Sequence, residues 1–176
     1  GVRAAERLQR VIRIIKYEKV RYLLIGGYAV GVYGHARSTN DLDIFVSHDR
    51  ENFLRLRTAL IEFGVAESNL GDDLFPERRS MMEMGVEPMK VQFVKFADGI
   101  DFDVAFAGKN EVRIEDIFVT TIGKSDLIRN KIASGRHKDL ADVERLEPMD
   151  DAGNIRLVSR EKVSYEISKS VFLANT

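Results

Sequence analysis

Asp41 and Asp43 stand two residues apart in LLIGGYAVGVYGHARSTNDLDIFV, the run from Leu23 to Val46. This stretch limits what the chain can fold into more than any other. Side chains alternate faces along a β-strand, so Asp-Leu-Asp sets both acids on one side, with Leu42 and Ile44 on the other. A strand with one apolar face belongs to a sheet packed on a core. Two carboxylates held that close repel unless a proton or a cation lies between them. At neutral pH a divalent metal with oxygen ligands satisfies the pair, usually Mg²⁺ when a phosphate shares its coordination sphere.

The rest of the composition narrows the alternatives. A chain of 176 residues is long enough for one domain with a proper core. With 27 basic and 28 acidic residues, no overall field draws it to nucleic acid or an anionic membrane. There is no cysteine, and His35, His48 and His137 lack ligand spacing, which excludes disulfides and argues against structural zinc. No apolar run reaches membrane-spanning length, and the N-terminal GVRAAERLQR has no secretory h-region, so a cytoplasmic protein without membrane partners is expected.

Leu8, Val11, Ile12 and Ile15 recur at helical spacing and predict an amphipathic helix from about Ala4 to Lys19. Arg21 to Ile25 reads as a buried strand, Gly26-Gly27 as a break, Tyr28 to Tyr33 as a short helix, and Leu42 to Val46 as the acid-bearing strand. Ser47 or Asp49 can cap the next helix, whose stripe is Phe53, Leu56, Leu60 and Phe63 and whose stop is Gly64. A loop from Val65 to Pro76 precedes strands at Ser80 to Met84 and Lys90 to Ala97. Asp98-Gly99 is a turn signal, and Ile100 to Phe106, Glu111 to Ile114 and Phe118 to Ile122 are further strand candidates. Ser125 to Ser134 and His137 to Glu147 read as helices meeting at Gly135. After Pro148, strand and helix periods both fit.

Glycines between a strand and a helix let phosphate oxygens approach backbone N–H groups, and carboxylates on the adjacent strand can hold Mg²⁺ against the same phosphates. GGYAVGVYGHARSTNDLDIFV resembles the signature of the nucleotidyltransferase superfamily that includes polymerase beta, in its small prokaryotic branch. The matching positions are Gly26, Gly27, Arg37, Thr39, Asp41 and Asp43. SDLIRNKIASGRHKDLADVERL is similar to that branch's C-terminal Lys-Asp-Leu-x-Asp helix, and the likeness runs from about Leu23 to Leu146. It implies an α/β (α+β) nucleotidyltransferase fold, a mixed and largely antiparallel sheet flanked by helices. It also implies transfer of a nucleoside monophosphate from an NTP to a hydroxyl. Asp41 and Asp43 would be catalytic and hold Mg²⁺ or Mn²⁺; Gly26, Gly27, Arg37, Thr39 and Lys131 would bind the nucleotide.

The same resemblance implies a third carboxylate on a neighbouring strand. Alignment on Pro88 and Gly99 sets Gln92 there. Glutamine offers a carbonyl oxygen and cannot act as a base. Asp101 and Asp103, again alternating, are the substitutes, unless they are an acidic edge beside a turn. Arg37 contacts phosphate or locks its loop. Lys131 and Lys138 are placed to reach a triphosphate, although Lys138 and Asp142 also have the spacing of an exposed helix pair. Arg129, Lys131, Arg136, His137 and Lys138 form the dense basic cluster that an RNA surface would use. Gly123-Lys124-Ser125 is no P-loop, because Phe118 stands where its first glycine is required.

The expectation is a nucleotidyltransferase domain over residues 1–147 with a C-terminal extension at 148–176. Its acceptor is open between a tRNA, a protein and a small molecule. A toxin–antitoxin or phage-defence setting, with a cognate toxin or antitoxin as partner, is expected from the branch. The alternative is a degenerate nucleotide- or partner-binding module, motivated by Gln92.

Overall fold

The computed structural model describes residues 2–34, 41–86, 89–114 and 116–146. Arg37 and Thr39, and the extension at 148–176, lie outside them. The apolar stripe of the first helix, α1 (Val2–Tyr17), buries Leu8, Val11, Ile12 and Ile15. Strand β1 (Tyr22–Ile25) is buried throughout and runs directly into helix α2 (Gly26–Val32), so Gly26-Gly27 begins a helix as well as ending a strand. Strand β2 (Asp41–Val46) follows, then helix α3 (Arg50–Phe63).

Helix α3 shows why the sequence signals work. Asp49 accepts a hydrogen bond from the Asn52 amide at 2.8 Å, while the Ser47 hydroxyl donates to Asp49 at 2.7 Å. The helix stops at Gly64, whose φ of +119° suits glycine. The Asn52 side chain, itself buried, accepts from the Arg21 amide and donates to the Arg21 and Ser47 carbonyls, tying α3 to both β1 and β2.

Strands β3 (Met81–Val86) and β4 (Met89–Val94) form a hairpin, and β5 (Asn110–Ile114) and β6 (Ile117–Thr121) another. The sheet has six strands in the order β3-β4-β2-β1-β6-β5. β1 with β2 and both hairpins are antiparallel, whereas β2 with β4 and β1 with β6 are parallel. This is the mixed, largely antiparallel α/β sheet expected. Helices α5 (Lys124–Ser134) and α6 (His137–Leu146) close the described chain, joined through Gly135 at φ +67°.

One expected strand is a helix. Residues Phe102–Ala107 form α4, with the Asp101 side chain accepting from the Val104 amide. The alternating acids imitate a strand, but Phe102, Ala105 and Phe106 lie at helical spacing, and burying Phe102 and Ala105 against the sheet decides the matter. Phe102 meets Phe45 edge-on, ring centres 5.2 Å apart.

The two sheet faces differ. Leu42, Ile44 and Val46 pack with Leu24, Phe93 and the stripes of α1 and α3. On the other face Leu23, Ile25 and Phe45 pack with α4, α5 and α6 through Phe102, Leu127 and Leu146. Asp41 and Asp43 precede Phe45 on that second face, at the start of β2, where the apolar cover gives way to a cleft.

Candidate active site

The backbone register builds the site. Asp43 lies opposite Ile25 of β1 and opposite Gln92 of β4, and Gln92 lies opposite Glu83 of β3. Asp41 lies opposite Lys90. Gly26, next after Ile25, has φ +72°, and a Cβ there would run into the Asp43 carboxylate. Glycine is therefore required twice, by the backbone and by the acid resting on it.

These residues border a cavity of about 490 Å³, within the range of small-ligand sites. One side carries Gly26, Asp41, Asp43 and Gln92; the opposite side is the α5–α6 pair, contributing Asn130, Lys131, Arg136 and Lys138. A third wall comes from the turn after β4. There Asp98 pairs with Arg79 at 3.0 Å, and its carbonyl accepts from Asn130 at 2.8 Å. Gly99 at φ +72° lets this turn sit against Ala133 of α5. Arg79 also lies over the Phe96 ring at 4.7 Å.

Lys131 is 4% exposed. Its ammonium stands 3.1 Å from Asp139 and 3.0 Å from Asp142, both on α6. Arg136 and Ser134 donate to the same Asp139 carboxylate at 2.7 and 2.9 Å. Burial pushes Asp139 up, but hydrogen bonds from Arg136, Lys131 and Ser134 outweigh it and hold the group at about 2. The opposite holds for Asp43. Burial and the neighbouring Asp41 charge raise it to about 6, against the pull of Lys131, Lys138 and Arg136. Burial, reinforced by Asp41, keeps the Tyr28 hydroxyl protonated.

The structure gathers Asp41, Asp43, Gly26, Gln92 and Lys131 around one cleft, while Gly27 is buried inside α2. It separates Asp101 and Asp103 from them: Asp101 caps α4, and Asp103 pairs with Arg21 at 3.0 Å. Neither lines the cleft. Lys131, Arg136 and Lys138 line it, whereas Arg129 pairs with Asp126 at 2.9 Å. The basic cluster is thus divided. Sequence reasoning does not single out Arg79, Phe96 or Asn130, which come to the cleft only because the Asp98-Gly99 turn docks on α5. Among the described residues no group of three or more His, Cys, Asp or Glu side chains is placed to hold a metal. Two carboxylates with the Gln92 carboxamide on the neighbouring strand are still a hard-oxygen donor set that suits Mg²⁺ or Mn²⁺.

A mixed sheet with paired acids at the end of an inner strand, facing a basic helical wall, is the architecture of the nucleotidyltransferase superfamily, and the chain is a member. Within it, the chain belongs to the aminoglycoside-2''-adenylyltransferase family, whose model matches residues 7–134. The fold is similar to that of the lincosamide antibiotic adenylyltransferase LnuA, solved with lincomycin bound. The two share 18% identity at a TM-score of 0.54, over 81% of this chain and 95% of that one. The chain matches no curated protein sequence. No helix among the described residues is long and apolar enough to cross a membrane.

Proposed function

We propose that the chain transfers an adenylyl group from ATP to a hydroxyl of a small molecule, in the cleft between β2 and the α5–α6 pair. The observation that carries this reading is the Asp41–Asp43 pair set against Gly26 and facing the cations of α5 and α6, in a chain of an adenylyltransferase family. In the reaction the acceptor oxygen bonds to the α-phosphorus as the bond to the pyrophosphate oxygen breaks. Asp41 and Asp43 would hold the divalent cation, Mg²⁺ or Mn²⁺. When bound, that ion neutralises phosphate charge and lines up attack with departure. Arg136 and Lys138 supply positive charge for the triphosphate. Lys131, clamped by two buried acids, holds that wall in place. Gly26, with Arg37 and Thr39 as the family pattern suggests, completes the nucleotide side, and Gly27 serves it only by starting α2.

Gln92 takes no proton, so the hydroxyl proton leaves to another acceptor at the cleft or to solvent. This same residue favours a second reading, a nucleotide-binding module without transfer. The unit carrying either activity is taken as residues 1–147, with 148–176 as an extension. Acceptors such as a tRNA or a protein, and a toxin–antitoxin partner, have less support, because Lys131, Arg136 and Lys138 line the cleft. Labelled ATP with Mg²⁺ or Mn²⁺, offered to lincosamides, aminoglycosides, tRNA and cell protein in parallel, tests the proposal. Transfer to a small molecule, abolished by Asp43→Asn, is the expected result; ATP binding with no transfer to any acceptor supports the second reading.

A further inference from the structure

Glu83 of β3 lies two strands out from Asp43, in the row Asp43–Gln92–Glu83. Cross-strand partners share a sheet face, so all three side chains rise on the cleft side. The Gln92 amide nitrogen donates to Glu83 at 3.0 Å, and Lys90 stands 3.3 Å from the other oxygen of the same carboxylate. An ionised carboxylate only accepts. It therefore dictates which end of the Gln92 amide faces it. With the NH₂ group engaged by Glu83, the carbonyl oxygen is the end of the Gln92 amide that remains to be offered to the cleft, which Gln92 lines.

We infer that Glu83 is a positioning residue that fixes the Gln92 carboxamide with its oxygen toward Asp41 and Asp43, making Gln92 a neutral third oxygen ligand for a divalent cation. This rests on the proposed metal site at Asp41 and Asp43. Without the carboxylate at 83 the amide is free to rotate its NH₂ toward the two acids, which would then satisfy them by hydrogen bonding and oppose the cation. Lys90 holds Glu83 against β4, so the carboxylate keeps one orientation. The chain thereby retains an oxygen at the third position while giving up a titrating group there.

The test is Mn²⁺ binding to the full chain, followed by electron paramagnetic resonance of the free ion, in two variants of equal charge. Glu83→Gln keeps an oxygen that accepts the Gln92 amide, while Glu83→Met has nearly the same size and no such acceptor. Affinity for Mn²⁺ is expected to be about tenfold weaker in Glu83→Met than in Glu83→Gln. In a Gln92→Leu background the two variants should bind alike. Equal affinities in the Gln92 background, or a difference that survives Gln92→Leu, overturn the inference. If the unaltered chain binds Mn²⁺ no better than Asp43→Asn does, the metal site itself is wrong and the role of Glu83 falls with it. If Asp43→Asn weakens binding while the two Glu83 variants agree, only the positioning role fails.

Discussion

Asp43 is where local geometry and electrostatics meet. Its carboxylate rests against Gly26, so Gly26→Ala adds a collision to a backbone conformation that disfavours any side chain. Loss of transfer activity, with destabilisation of about 1–3 kcal/mol by urea titration, is expected. Replacing the acid acts in the other direction. Asp43 titrates at about 6 in the folded protein, above its ordinary 3.8, so folding favours its protonated form. That stability is fully present below about pH 4 and is lost as the pH rises through 6. In metal-free buffer Asp43→Asn should therefore be more stable than the unaltered chain by about 2 kcal/mol at pH 7.5, with the gain gone near pH 4. Chemical denaturation across that range measures it; a gain that grows toward acid pH contradicts the assignment.

At the scale of elements, α5 and α6 behave as one wall because Lys131 joins them. The lysine lies among the buried Asp139 and Asp142 carboxylates. Removing it leaves Asp139 with Arg136 and Ser134 but takes the ammonium away from the buried Asp142 carboxylate, in a low-dielectric setting. Lys131→Met should cost about 3–5 kcal/mol in unfolding free energy and should weaken ATP binding as the wall carrying Arg136 and Lys138 loosens. A loss under 1 kcal/mol would mean the cluster is solvated. The helical state of α4 belongs to this scale too. Asp101 and Asp103 have the two-residue spacing of Asp41 and Asp43, yet the first pair caps a helix and sits in its first turn while the other lies on a strand. Packing of Phe102 and Ala105 separates the two cases, and no count of acids does.

For the whole molecule, the cleft joins two like-charged acids on the sheet to cations on distant helices, so nucleotide and metal should stabilise the fold together. At concentrations 100-fold above dissociation constants, each site contributes about 2.7 kcal/mol. Thermal melting should rise more with Mg²⁺ and ATP together than the sum of the separate shifts, and Asp43→Asn should remove the excess. Additive shifts would place metal and nucleotide at independent sites.

Much of this was written into short segments. The alternation of Asp41, Leu42 and Asp43 specifies a strand with an acidic and an apolar face, because the period of a strand is two. The Asp49 cap and the Gly64 and Gly135 stops specify helix ends, because each rests on contacts within a few residues. Gln92 could be matched to the position opposite Asp43 because β4 runs beside β2 in a register that the motif spacing preserves. Only the tertiary structure decided that Ile100 to Phe106 is helical from Phe102, since burial against Phe45 and its neighbours overrides local pattern. It alone brought Arg79 and Asn130 to the cleft, turned Lys131 inward to Asp139 and Asp142, and set Glu83 behind Gln92. Those contacts join residues on separate strands and helices, and local sequence period carries no information about which distant side chain will fill the remaining space.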